Sequence, residues 1–139
     1  IEKHLKNYRN YKIGMTNMKK QLEHLFPRIT AAYEIREGKT GTFANNSTTE
    51  EFAIKRAEKK AEMEHLIHTY QLVVESIDAA VKQLDPLERD FVEQLYFNKT
   101  NMKNVAVSLG YSLRSVYSIK DGVREQLLIT LNNLIHIEI

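Results

Sequence analysis

The chain has 139 residues, of which 42% are hydrophobic, so it can bury the core of one domain or of two small units. It contains no cysteine, which excludes disulfide bonds and thiolate metal sites and suits a reducing cytosol. No apolar run reaches the roughly 18 residues of a membrane span, and no basic-then-apolar leader is present, so we expect no membrane partner. The formal charge of +2 by itself indicates no partner.

The first predicted element is one long helix over residues 1–37. Its apolar residues recur at alternating spacings of three and four, which is the heptad pattern of a helix that packs against another helix. They are Tyr8, Tyr11, Met15, Met18, Leu22, Leu25, Ile29 and Ala32. Pro27 cannot donate a backbone hydrogen bond, so we expect a kink near Glu23 to Leu25. Gly38 predicts the end of the helix.

A polar connection over residues 38–49 leads into a second long helix. We expect this helix to begin at Thr48 or Thr49, with Glu50 and Glu51 in its first turn, and to end at Leu84. Its apolar seam has the same heptad spacing and is flanked by a second apolar row. The seam is Met63, Leu66, Tyr70, Val73, Ile77, Ala80 and Leu84, and the row is Ile67, Val74 and Val81. Residues 1–84 are therefore predicted to form a coiled-coil-like helical hairpin that serves as an oligomerisation arm.

The third predicted helix covers residues 86–97. Asp85 is a suitable N-cap, and proline is favoured in a first turn, where Pro86 lies. Apolar residues at helical spacing give it one buried stripe. These are Leu87, Phe91, Val92, Leu95 and Tyr96.

Two shorter helices joined by a tight turn follow. Asn101 is a good N-cap for the first helix, Gly110 lies where a left-handed C-terminal residue is required, and Ser112 caps the second helix. A helix, a three-residue turn with glycine and a second helix form the helix-turn-helix pattern. The inward face of the second helix is predicted to be Val116, Ile119 and Val123.

The apolar pattern continues from this second helix to Ile135, and the surplus apolar surface predicts a partner, either the amino-terminal hairpin or a second subunit. The last five residues alternate with period two and yield no prediction. The predicted fold is thus all-α, with the helical hairpin over residues 1–84 and a helix-turn-helix domain with an extended last helix over residues 85–139.

Charge is distributed unevenly along the carboxyl-terminal part. Between residues 98 and 124 there are five basic residues and one acid, whereas residues 85–97 contain four acids and one base. A basic surface neutralises DNA phosphates with release of counterions. Residues 1–20 are also basic, and this run has two interpretations, a solvated helix face or an arm that contacts phosphates.

Patterns of catalytic or metal-binding residues are absent from the sequence. Glu64 and His68 are spaced so that both could bind one metal ion, but two ligands on one helix are fewer than metal sites use, and a solvated face is the simpler interpretation. No nucleophile and base pair and no glycine-rich phosphate loop occurs. We therefore expect neither an enzyme nor a cofactor.

The residues from Leu84 onwards carry a family likeness. They resemble the helix-turn-helix pattern of sigma-70 region 4 in residue type and spacing. The matching positions are Leu84, Glu88, Arg89, Tyr96, Val105, Ala106, Leu109, Gly110, Ser112, Val116 and Ile119. Over the whole chain the layout resembles phage transcriptional regulators of the RinA and ArpU type. The motifs that support this are NYRNYK at residues 7–12, ANNSTTEE at residues 44–51 and ERDFVEQLYFNKT at residues 88–100.

This resemblance implies sequence-specific binding of duplex DNA through the second helix of the motif. The positions that would face the bases are Ser112, Arg114, Ser115, Tyr117, Ser118 and Lys120, and those that would meet phosphates are Lys99, Lys103 and Arg124. Arg114 suits guanine, because a guanidinium pairs with O6 and N7 together, although it could contact phosphate instead. Tyr117 could pack on a thymine methyl, donate to phosphate or be a half-buried core residue. Leu113, which is apolar, and Gly122, which lies inside a helix, depart from the pattern.

Three functions follow as alternatives. The first is a transcriptional activator of phage late or packaging genes, acting in the cytoplasm of a bacterial host as a homodimer or higher homo-oligomer. The second is a small terminase subunit that recognises phage DNA for packaging. The third is an interaction module that docks on host RNA polymerase without binding DNA, for which the acidic helix would provide the contact.

Overall fold

A computed structural model describes residues 1–25 and 46–137 of the chain. Every regular element within these two ranges is helical, and none is a strand. The prediction of an all-α fold is confirmed for the described residues.

The amino-terminal helix is interrupted early, which the sequence pattern did not predict. Helix α1 covers Glu2–Lys6 and helix α2 covers Tyr8–Leu25. Between them Asn7 has φ −96° and ψ 4°, although hydrogen bonds from Asn7 N to Lys3 O and from Tyr11 N to Asn7 O bridge the break. Asparagine favours such helix ends because its side chain competes for backbone hydrogen bonds. The predicted kink at Pro27 and the helix end at Gly38 fall outside the described residues.

Helix α3 covers Asn46–Lys82. It begins two residues before Thr48, so residues 46–49 are helical and do not belong to a connection. The helix ends at Lys82, where Leu84 was expected.

The chain divides into two compact units, one comprising Ile1–Lys12 and Gln71–Ile139 and the other Ile13–Tyr70. The first unit contains residues from both predicted domains. The division into an oligomerisation arm over residues 1–84 and a DNA-binding domain over residues 85–139 concerns function and stays a prediction.

In the unit Ile13–Tyr70, the helices α2 and α3 approach each other at two points. A Cβ atom built on Gly14 would lie 3.2 Å from Cε2 of Tyr70, and Arg56 donates a hydrogen bond of 2.6 Å to the carbonyl oxygen of Leu25. These pairings make the two helices antiparallel within the unit. The predicted seam is only partly buried here, because Leu66 is exposed, whereas Ile67 of the second row is buried.

In the other unit, one core is built from all its helices. It contains apolar side chains of α1, α2 and α3 together with those of the later helices. They are Leu5, Tyr8, Tyr11, Val73, Val74, Ile77, Ala80, Leu84, Phe91, Val92, Tyr96, Val105, Ala106, Val116, Val123, Leu127, Leu131 and Leu134. The hydroxyl of Tyr8, one of these core residues, donates a hydrogen bond to Oδ1 of Asp78.

The third predicted helix is present but changes its winding halfway. Helix α4 covers Pro86–Val92, and the amide of Asp85 donates to Oε1 of Glu88 at 3.4 Å, as in a capping box. The next five residues, Glu93–Phe97, form a π-helix. Within it Tyr96 makes a T-shaped ring contact with Phe91, and Phe97 stacks on Tyr8 with ring centroids 4.3 Å apart.

Helix α5 covers Met102–Leu109 and helix α6 covers Leu113–Thr130. The apolar pattern continues to Ile135, but α6 itself ends at Thr130, because Leu131 leaves the helical conformation with φ −109° and ψ 20°. A 3₁₀-helix then covers Asn132–His136. This tighter turn allows both Leu131 and Leu134, three residues apart, to be fully buried.

Candidate nucleic-acid interface

A side-chain hydrogen bond fixes the start of α5, and a glycine in the left-handed conformation fixes its end. The side chain of Asn101 accepts a hydrogen bond from the amide of Asn104 at 2.8 Å. Gly110 adopts the left-handed conformation with φ 76°, and its amide donates to the carbonyl oxygen of Ala106. Both roles match the predicted ones. Because Gly110 changes the chain direction here, only three residues separate the end of α5 from the start of α6.

Helix α6 begins at a similar cap. The hydroxyl of Ser112 accepts a hydrogen bond from the amide of Ser115 at 3.2 Å, and the two serine hydroxyls lie 2.9 Å apart. The predicted N-cap is therefore present. The side chains of Ser112 and Ser115 are therefore hydrogen-bonded to each other, and the Ser112 side chain is also hydrogen-bonded to the first turn of α6.

The inner face of α6 packs into the core. Val116 and Val123 are fully buried, and Ile119 is half-buried, in agreement with the predicted inward face. Val105 and Ala106 are buried on α5, which packs against α6. The orientation of α6 about its own axis is therefore determined by burial on one side.

The outer face of α6 carries most of the residues predicted to face bases. Arg114, Ser115, Tyr117 and Ser118 are all exposed, and Tyr117 is 49% accessible. Tyr117 therefore lies outside the buried core of the unit. The hydroxyl of Ser118 donates to the carbonyl oxygen of Arg114 at 3.4 Å. This exposed group, which we call the outer face, extends over the first two turns of α6.

Lys120 does not share the outer face. It lies four residues after Val116, hence only about 40° around the helix from a fully buried side chain. Its side chain is half-buried. Of the residues expected to face bases, Lys120 is therefore the one that the structure leaves apart from Arg114.

The three residues predicted to meet phosphates lie in different surroundings. Lys99 is exposed in the turn before α5, with a left-handed φ of 55°, and Lys103 is exposed in the first turn of α5. Arg124 is exposed near the middle of α6 but lines a small cavity with Glu2 and Tyr96. Lys99 and Lys103 thus lie near the start of α5, whereas Arg124 lies ten residues, or about 15 Å, along the helix from Arg114.

Burial raises the pKa of the Tyr96 hydroxyl to about 12, and the negative charge of Glu2 acts in the same direction. The positive charge of Arg124 opposes this rise. Arg124 therefore interacts electrostatically with Tyr96 of the π-helix, and as an exposed residue it is also available to a ligand.

Leu113 belongs with the outer face as well, although the sequence pattern identified it only as a departure. Its side chain is 39% exposed, and Tyr117 lies one turn further on the same side of the helix. In the sequence, the spacing of four residues between Leu113 and Tyr117 is the signal that could have placed both side chains on the outer face.

No cluster of metal-binding side chains accompanies this interface in the described ranges. Among residues 1–25 and 46–137, no three histidine, aspartate or glutamate side chains are grouped so that they could hold a metal ion. Within the same ranges, no helix has the length and apolar character needed to cross a membrane.

Comparison with known proteins identifies no relative of this chain. No protein-family model, no curated protein and no solved structure matches the chain. The resemblance to sigma-70 region 4 and to RinA-type and ArpU-type regulators therefore stays a prediction from residues and spacing.

Proposed function

We propose that this protein binds duplex DNA sequence-specifically through the first two turns of α6 and acts as a transcriptional regulator, of the kind that activates late or packaging genes of a phage. The observation that carries the proposal is the two-sided character of α6. Its inner face is anchored by Val116 and Val123, and the opposite side presents Arg114, Tyr117 and Ser118 to solvent.

The arrangement suits the major groove. A recognition helix enters the groove with its amino-terminal residues at the base edges, while the preceding helix and turn lie along the backbone. Arg114 would then be close to base edges, and Lys99 and Lys103 would be near phosphates. Arginine can distinguish guanine by pairing with O6 and N7 together, whereas a lysine at a phosphate contributes affinity without sequence preference.

The finer architecture belongs to the same proposal. Residues 85–139 would form a helix-turn-helix domain, and residues 1–84 would form a hairpin that joins subunits into a homodimer or higher homo-oligomer. A two-fold arrangement would then bind two half-sites about 10 base pairs apart, or a multiple of this distance. Two exposed acids, Asp85 at the N-cap of α4 and Asp90 within α4, are candidates for a contact with host RNA polymerase in the bacterial cytoplasm.

The first experiment is the selection of bound duplexes from a random DNA pool, with the mass of the complex measured alongside. We expect a defined sequence motif and a dimer or tetramer. A closed ring of many subunits would favour the packaging role of a small terminase subunit. Absence of affinity for any duplex at low salt would overturn DNA binding and leave the interaction module.

The second experiment assigns the roles of individual residues on the selected site. Arg114→Ala should weaken binding by about 1–3 kcal/mol and relax the preference at one base pair. Lys103→Ala should weaken all duplexes nearly alike and reduce the salt dependence of binding. Lys55→Ala, which removes an exposed charge from the unit Ile13–Tyr70, is the matched control and should leave base preference unchanged.

A further inference from the structure

Two apolar side chains interrupt the polar outer face of α6. Leu113 is 39% exposed and Tyr117 is 49% exposed. They are four residues apart and therefore lie on one side of the helix, about 6 Å apart along its axis. Arg114 lies directly after Leu113 in the same turn. The cap at Ser112 fixes the helix start and thereby the direction in which both side chains leave it.

The charges near this pair indicate what covers it. Lys99, Lys103 and Arg114 are all exposed on α5, its preceding turn and α6, and the nearest acid along α6 is Asp121, a full turn beyond Tyr117. Exposed basic side chains on α6 and on the preceding helix and turn, together with a small apolar surface, complement a polyanion that carries apolar groups. Duplex DNA is such a ligand, because its phosphates are anionic and its major groove exposes one apolar group, the C5-methyl of thymine.

The spacing is compatible with this ligand. Successive base pairs are about 3.4 Å apart along each strand, so two side chains about 6 Å apart would reach bases about two steps apart. Arg114, between them in sequence, would read a guanine in the same short segment.

We infer that Leu113 and Tyr117 are specificity-determining residues that contact thymine C5-methyl groups next to the guanine bound by Arg114. This inference rests on the proposed DNA binding and deepens it, because it names the bases. The selected site should therefore contain thymines at defined positions beside a guanine. The apolar character of Leu113 then has a function in place of the polar contact expected there.

The test uses the full-length protein and the selected duplex, in which single thymines are replaced by deoxyuridine. This exchange removes the methyl group and leaves the hydrogen-bonding atoms of the base unchanged. At each contacted position the wild type should bind about 4-fold more weakly, the factor that corresponds to the roughly 0.8 kcal/mol of one buried methyl-sized group. Positions outside the contact should show no change.

Variants assign each methyl to a side chain. Leu113→Ala should bind the thymine and uracil forms equally at one position, and Tyr117→Ala should do so at the other. Tyr117→Phe keeps the ring and should keep the discrimination. Ile129→Ala is the matched control, because Ile129 is an exposed apolar residue of α6 more than three turns from the outer face, and it should discriminate as the wild type does.

The outcomes separate this inference from the proposed function. Strong binding of the wild type to a duplex in which every thymine is replaced by deoxyuridine, with unchanged affinity, would overturn the inference and leave sequence-specific binding intact. Discrimination that persists in both alanine variants would also overturn it, because another group then reads the methyl. Loss of all duplex binding by the wild type overturns both. The deoxyuridine series needs only the wild type, so a variant that fails to fold does not remove the test.

Discussion

His4 is a buried polar residue whose two ring nitrogens both have partners. Its Nε2 lies 3.2 Å from the carbonyl oxygen of Ile137, which can only accept, so Nε2 carries the hydrogen and donates it. In the neutral ring Nδ1 then accepts from the hydroxyl of Tyr11 at 2.9 Å. Burial lowers the pKa of His4 below its ordinary value of 6.5, and the charge of Lys3 acts in the same direction. His4 thus joins α1 to the segment after the 3₁₀-helix in its uncharged form.

This lowered pKa predicts a pH dependence of stability. Because the unfolded chain binds the proton more readily, the contribution of His4 is complete above pH 6.5 and is lost as the pH falls from 6.5 through the lower folded-state pKa. We expect His4→Gln to reduce this dependence in urea unfolding measured on both sides of pH 6.5. His65→Gln, at an exposed position of α3, is the control and should follow the wild type. Parallel curves for wild type and His4→Gln would contradict the assignment.

Gly122 lies inside α6, and the folded chain gives no steric reason for a glycine there. A Cβ built on it would meet no heavy atom within 4 Å. Alanine is favoured over glycine in a helix interior by about 1 kcal/mol, so Gly122→Ala should raise the free energy of unfolding by about this amount.

Gly14 offers a matched comparison within α2, because a Cβ there would lie 3.2 Å from the Tyr70 ring. Gly14→Ala should therefore gain less than Gly122→Ala or lose stability. Equal gains in thermal or urea unfolding would show that this ring contact is without energetic effect.

At the scale of elements, the sequence predicted those features that depend on residues close together along the chain. The caps at Asn101 and Ser112 and the left-handed Gly110 follow from residue type and position, and all three are present. The π-helix Glu93–Phe97 was not predictable, because Phe97 stacks on Tyr8, which belongs to a distant part of the sequence. The half-burial of Lys120 follows from its position about 40° around the helix from Val116, whereas the family resemblance places it among the base-facing residues.

The caps give a prediction at this scale. Asn101→Ala and Ser112→Ala each remove a side-chain acceptor for a free amide of the first turn. Each should lower the free energy of unfolding by about 1 kcal/mol. Ser108→Ala, at an exposed position inside α5, is the control and should be neutral or slightly stabilising, because alanine is the better helix former. Urea unfolding followed by circular dichroism measures all three, and equal effects of Ser108→Ala and Ser112→Ala would contradict the capping role.

At the scale of the whole molecule, the helix proposed to bind DNA depends on the first residues of the chain. Leu5 is only 1% exposed and lines one cavity with Tyr96 and Leu127. Leu5→Ala should lower the free energy of unfolding of this compact unit by about 2–5 kcal/mol. Because α6 belongs to the same unit, its amide protons should lose protection against hydrogen exchange in parallel.

Ile13→Ala is the control for this prediction, since Ile13 is 60% exposed and such surface changes alter stability by about 0.5 kcal/mol or less. Unchanged exchange rates in α6 of the Leu5→Ala variant would mean that α1 is not part of the cooperative unit.

Contacts between the first residues of the chain and much later ones also determine when this compact unit can finish folding. Tyr8 meets a residue 70 positions later, and His4 meets one 133 positions later. During synthesis the first residues therefore leave the ribosome long before their partners exist, whereas α5 and α6 are separated by a three-residue connection and can pair locally. Contacts between distant segments require closure of a long loop and slow folding. We expect the α5 and α6 pair to form first and the amino-terminal helix to join it last, as the step that completes the native state.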